Sequence, residues 1–150
     1  MKDPVKPNVI VMAEDDVDDQ LLVKEALAEC QWDADLRFVE NGEELLDYLF
    51  HRGKYSDGLA SPRPGLILLD LNMPRMDGKE TFVELRKNHH LRNTPILIFS
   101  TSSHTKDREF FEDKQSAYLV KPVRFHELLT AAQRMINLCG ESASDEAENI

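Results

Sequence analysis

Residues 66–78 read Leu66-Ile67-Leu68-Leu69-Asp70-Leu71-Asn72-Met73-Pro74-Arg75-Met76-Asp77-Gly78, and the rest of the chain is arranged around this stretch. Leu66 to Leu69 form an apolar run with no polar alternation, the pattern of a strand buried on both faces in a parallel sheet covered by helices. Asp70 ends the run where the strand should leave the core. Pro74 cannot continue a sheet ladder and biases Met73 away from helical geometry. Asp77 then stands as the N-cap of a helix carrying Phe82, Val83 and Leu85, with Glu80 three residues on. One carboxylate therefore sits at the carboxyl end of a buried strand, where open α/β sheets bind their ligands.

Working outward, four further strands are predicted: Val9–Ala13, Leu36–Val39, Ile96–Phe99 and Ala117–Val120. Helical patterns alternate with them. The first is capped by Asp18 or Asp19 and carries Leu21, Leu22, Ala26 and Leu27. The second follows Asn41-Gly42 and carries Leu45, Leu46, Leu49 and Phe50. A charged fourth helix covers Thr105–Asp113. The last shows Phe125, Leu128, Leu129, Ala132 and Ile136 as a core stripe. Arg52–Pro64, rich in Gly, Ser and Pro, reads as a long exposed loop. Right-handed crossovers leave few arrangements for such alternation. The expected fold class is α/β, a five-stranded parallel sheet with five helices on both faces and the flavodoxin-like order 2-1-3-4-5. Residues 1–8 read as an arm, 9–139 as one domain, and 140–150 as a disordered acidic tail.

The 150 residues suit a single domain with a proper core, and 41% hydrophobic residues are too many for disorder. A net charge of -10 argues against direct nucleic-acid or membrane-surface binding. No apolar run has the length of a membrane span, and no secretory signal is evident, so a cytoplasmic location is expected. Cys30 and Cys139 read as reduced thiols, and the adjacent His89 and His90 as solvated.

Every chemically interesting strand end falls on one edge: Glu14 and Asp15 after strand one, Asp70 after strand three, Ser100 after strand four, Lys121 after strand five. Two carboxylates about 4 Å apart repel by about 4 kcal/mol at an effective dielectric of 20. Three such acids in one cleft call for a divalent cation, and all-oxygen ligands favour Mg2+ over Zn2+. A cation, an ammonium and a hydroxyl together equip a site for phosphoryl transfer, with Asp70 as the nucleophile. Taken singly, each has a plainer reading: an acid run before a helix favours the helix dipole, a lysine is solvated, and a serine caps a strand. Their joint placement is what raises them.

The motifs Glu14-Asp15-Asp16, Leu68–Gly78, Phe99-Ser100-Thr101-Ser102 and Tyr118–Pro122, in this order, resemble the receiver domain of two-component response regulators over about Val9 to Leu138. The resemblance implies Asp70 as phosphoacceptor. It implies Mg2+, or Mn2+ in its place, held by Glu14, Asp15, Asp70 and the Asn72 carbonyl. Ser100, Thr101 and Lys121 would meet the phosphoryl group, with Tyr118 as the aromatic switch. Asn72 and Ser102 would tune phosphoryl lifetime, and the Lys121–Pro122 bond would be cis. The expected partners are a sensor histidine kinase and a downstream protein, with a homodimer through the helix 4–strand 5–helix 5 region. The Arg52–Pro64 loop, without any evident output domain, resembles the single-domain regulators paired with phytochrome-type kinases. Two other functions compete. An aspartate-nucleophile Mg2+ phosphatase would want an acid two residues after the nucleophile, where Asn72 stands. A pseudo-receiver binding module would have no use for the full acid, hydroxyl and lysine set. The expectation is a phosphoacceptor acting on itself, not a turnover enzyme.

Overall fold

The computed structural model describes residues 8–32, 35–58, 61–112 and 116–148, with residues 140–148 described by their backbone alone. Five strands, β1 (Val9–Ala13), β2 (Asp35–Val39), β3 (Leu66–Leu69), β4 (Ile96–Ser100) and β5 (Ala117–Val120), form one parallel sheet in the order β2-β1-β3-β4-β5. Five helices alternate with them: α1 (Val17–Glu29), α2 (Gly42–Leu49), α3 (Gly78–Lys87), α4 (Thr105–Glu112) and α5 (Phe125–Glu148). The fold class is the one expected.

The unbroken apolar runs follow from a core on each face. Val9, Val11, Ala13, Ile67, Leu69, Ile96 and Ile98 share one core with Leu45, Phe82, Leu85 and Phe111 of α2, α3 and α4. Their neighbours Ile10, Met12, Leu66, Leu68, Leu97 and Phe99 share the other with Val23, Ala26, Leu27, Leu128, Ala132 and Met135 of α1 and α5. Successive strand residues point to opposite faces, so both sets must be apolar.

Several expectations need correction. Asp16, not Asp18 or Asp19, caps α1: its carboxylate accepts from the amides of Asp18 (2.9 Å) and Asp19 (3.3 Å). The buried face of α1 is Val23, Ala26 and Leu27, while Leu21 and Leu22 are exposed. Phe125, in the first turn of α5, is exposed too, and Ala131, Met135 and Cys139 complete that helix's buried stripe. The segment after Arg52 is not simply an exposed loop. It makes a 3-10 turn at Gly53–Tyr55, Tyr55 donates to Glu44 (2.6 Å), Tyr48 donates to the Pro62 carbonyl (2.7 Å), and Ser61 is buried. Two aromatic hydroxyls thereby tie a polar segment to α2. The acidic tail was expected to be disordered, yet the α5 backbone continues to Glu148. The Ala and Glu residues of this stretch are good helix formers, no Pro interrupts it, and extending a formed helix costs no new nucleus. Met1–Pro7, the bulk of the expected arm, lies outside the described residues.

Candidate functional site

Register brings the site together. Ala13 pairs with Leu69 across β1 and β3, and the Asp70 amide donates to the Ala13 carbonyl (3.2 Å), so the next residues, Glu14 and Asp70, emerge side by side. Ser100 pairs with Val120, and the Lys121 amide donates to the Ser100 carbonyl (2.8 Å), so Lys121 emerges beside Ser100. Glu14, Asp15 and Asp70 each present a carboxylate oxygen, all within 4.8 Å of one another. Glu14 and Asp70 are buried and Asp15 is exposed, so the cluster opens to solvent on one side.

Lys121 closes the other side. Its ammonium donates to Glu14 and to Asp19 (2.8 Å) and stands 3.5 Å from Asp70. Burial raises the Glu14 carboxyl to about 7; Asp70 reinforces the shift, and the Lys121 hydrogen bond works against it. Burial works against the Lys121 ammonium, but hydrogen bonds to Asp19 and Glu14 and the charge of Asp70 outweigh it, holding its pKa above the usual lysine range. The cleft is thus acid-rich with one internal cation. Its oxygen-only donors at this spacing fit a hard divalent ion such as Mg2+ or Mn2+, not Zn2+.

The backbone behind Asp70 has no slack. A Cβ on Gly78 would lie 2.4 Å from the Asp70 carbonyl oxygen and 2.7 Å from Leu71 Cα, so only glycine lets α3 start against the loop that carries Asp70. The Asn72 amide stands 3.4 Å from Asp70 Oδ1. Across the cleft Ser100 is fully buried, and its hydroxyl accepts from the Ser102 amide (3.3 Å). Thr101 is exposed. Tyr118 is half-buried and donates to the Ser102 carbonyl (2.9 Å), with the Arg108 guanidinium 5.6 Å from its ring centroid.

The expected cis bond is absent: the described residues contain no cis peptide, and Lys121–Pro122 is trans. An X–Pro bond favours trans by about 0.5–1 kcal/mol, and the trans chain already carries the Lys121 ammonium to Glu14 and Asp19. Asp19 escaped the sequence reading as a partner of Lys121, because an acid in the first turn of a helix is ordinarily explained by capping and the dipole. The available signal was that Asp16, one residue before the helix, leaves Asp19 free of that duty.

A family model described as the response regulator receiver domain matches residues 10–133. Response regulator Rcp1 of Synechocystis sp. is 35% identical over 129 residues, which is 85% of each chain. The Mn2+-bound form of Rcp1 superposes with a TM-score of 0.76 at 33% identity, covering 85% of this chain and 91% of that one. A response regulator in red light signaling of R. palustris gives 0.77 at 37% identity, covering 84% and 89%. The phosphorylated cyanobacterial phytochrome response regulator RcpA gives 0.76 at 31% identity, again covering 84% and 89%. Sequence motif and sheet order agree with these comparisons, and the chain belongs to the response regulator receiver domain family.

Proposed function

We propose that Asp70 is the phosphoacceptor of a phosphorelay, charged by a sensor histidine kinase. The observation that carries this reading is the meeting of Glu14, Asp15 and Asp70 beside the Lys121 ammonium. An Asp70 carboxylate oxygen attacks the phosphorus of a phosphohistidine; the P–O bond forms as the P–N bond breaks, and the imidazole leaves. Glu14, Asp15, Asp70 and the Asn72 carbonyl would hold Mg2+, or Mn2+ in its place. That ion supplies charge neutralisation on the phosphoryl oxygens. Lys121, 3.5 Å from Asp70, would neutralise a further oxygen, and Ser100 and Thr101 would receive the third. The Ser100 hydroxyl, which accepts from the Ser102 amide, would turn toward that oxygen, and Tyr118, bonded to Ser102, would move in response. Asn72 and Ser102 would set the lifetime of the acyl phosphate. This is chemistry on the protein itself, and it returns the same carboxylate after hydrolysis.

The similarity to the cyanobacterial phytochrome response regulator RcpA, and to a regulator in red light signaling, supports a phytochrome-type kinase as the phosphoryl donor. Output would pass to another protein, or to a second copy, through the α4–β5–α5 surface. Among the described residues no helix is long and apolar enough to cross a membrane. The test is incubation with Mg2+ and acetyl phosphate followed by intact-mass measurement. One phosphoryl group per chain, lost in Asp70→Asn, supports the reading; an adduct that persists in Asp70→Asn refutes it. Transfer from a phytochrome-type kinase, compared with an unrelated kinase, tests the finer assignment.

A further inference from the structure

A second chain of polar contacts runs outside the acid cleft, from α3 to β5. Lys79, in the first turn of α3, donates to Asp107 Oδ1 (2.6 Å) in the first turn of α4. The other Asp107 oxygen accepts the Ser102 hydroxyl. Ser102 in turn offers its amide to Ser100 and its carbonyl to Tyr118. Lys79 follows Gly78, whose backbone is pressed against Asp70, so the start of α3 is tied to the nucleophile's own loop. The Lys79 ammonium also lies 5.4 Å from the Phe110 ring centroid, which confines it on the α4 side. The Lys79 hydrogen bond, with that of Ser102 second, holds the Asp107 carboxyl below the usual carboxylate range, so it is ionised at neutral pH.

We propose that the Lys79–Asp107 pair is a positioning element for the phosphorylation switch, holding Ser102 in the arrangement of the unphosphorylated protein. The inference rests on the reading of Asp70 as phosphoacceptor. Neither residue is among the acids of the cleft; each acts through Ser102. A turn of the Ser100 side chain toward a phosphoryl group on Asp70 would carry its oxygen away from the Ser102 amide, and the loop would then shift against the Asp107 anchor. A contact made in only one of two arrangements biases the equilibrium between them, and removing it raises the affinity of any ligand that favours the other. Lys79 and Asp107 would thereby set how readily the switch turns, without taking part in phosphoryl transfer.

The test is calorimetric titration of the full chain with beryllofluoride in saturating Mg2+, and separately with Mg2+ alone. Lys79→Met and Asp107→Asn should each bind beryllofluoride about fivefold tighter than wild type, the low end of coupling between sites. Their Mg2+ affinity should not move, which separates a switch effect from general loosening. Lys79→Arg keeps the cation and should retain wild-type affinity. Unchanged beryllofluoride affinity in both single variants, or an equal change for Mg2+ alone, overturns the proposal while leaving the phosphoacceptor reading intact. A wild-type chain that binds no beryllofluoride overturns both.

Discussion

The two sides of the cleft are built differently. On the β1–β3 side Glu14 and Asp70 are buried, three acids clasp the Lys121 ammonium that reaches across from the end of β5, and Gly78 leaves the backbone no room. On the β4–β5 side Ser100 is buried, but what surrounds it is a set of single hydrogen bonds among Ser102, Asp107 and a half-buried Tyr118. Burial makes the first side costly to disturb, because a charge stripped of its partner there is neither solvated nor paired. The second side trades one bond at a time, each worth about 0.5–1.5 kcal/mol net. Charge placement for phosphoryl transfer needs the rigid side; a two-state response needs the breakable one.

Removing Lys121 should strain that contrast most. Lys121→Met leaves Glu14, Asp19 and Asp70 without their cation, and urea unfolding in the absence of divalent ions should show a loss of about 3 kcal/mol. Mg2+ should recover much of it, since the ion takes over the same charge balance. An equal loss with and without Mg2+ would mean that the acids do not share an ion. Gly78→Ala places a methyl group against backbone, not against a side chain that can swing away, and should cost about 1–3 kcal/mol by the same assay. Tyr118→Phe deletes one hydrogen bond on the breakable side, and a loss of about 1 kcal/mol is expected. A loss as large as that of Lys121→Met would erase the distinction between the two sides.

The smallest effect is a pH dependence. Asp107 is held below the ordinary aspartate range by Lys79 and then by Ser102, so its folded form binds a proton less readily than its unfolded form. The stability it adds is complete above about 3.9, the ordinary aspartate value, and is lost as pH falls through the lower folded value. The stability difference between wild type and Asp107→Asn, followed by urea unfolding, should therefore be constant near neutrality and close only in acid.

The rigid side was legible in the sequence, as were Ser100, Ser102 and Tyr118 of the breakable side, but the charged pair that anchors Ser102 was not. Unbroken apolar runs declare two-sided burial, parallel pairing makes strand ends coincide, and so the sequence alone gathers Glu14, Asp15, Asp70, Ser100 and Lys121. Lys79 and Asp107 escaped, because a lysine and an aspartate in two helices 28 residues apart carry no local signature of facing one another. Asp19 escaped because capping is the ordinary role of an acid in its place. Tyr55 and Ser61 sit in a segment rich in Gly, Ser and Pro, and composition does not tell which hydroxyl of a polar loop will fold back onto a helix. The helical continuation past Cys139 was hidden for a similar reason: an acidic run reads as solvated, although its Ala and Glu content favours helix once α5 has begun.

The central claim is that carboxylates from two neighbouring strands share one divalent ion. Mn2+ binding followed by electron paramagnetic resonance tests it most directly, in wild type, Asp15→Asn and Asp70→Asn. One ion per wild-type chain, with affinity falling in both variants, is the result expected; unchanged binding in Asp70→Asn would contradict the account.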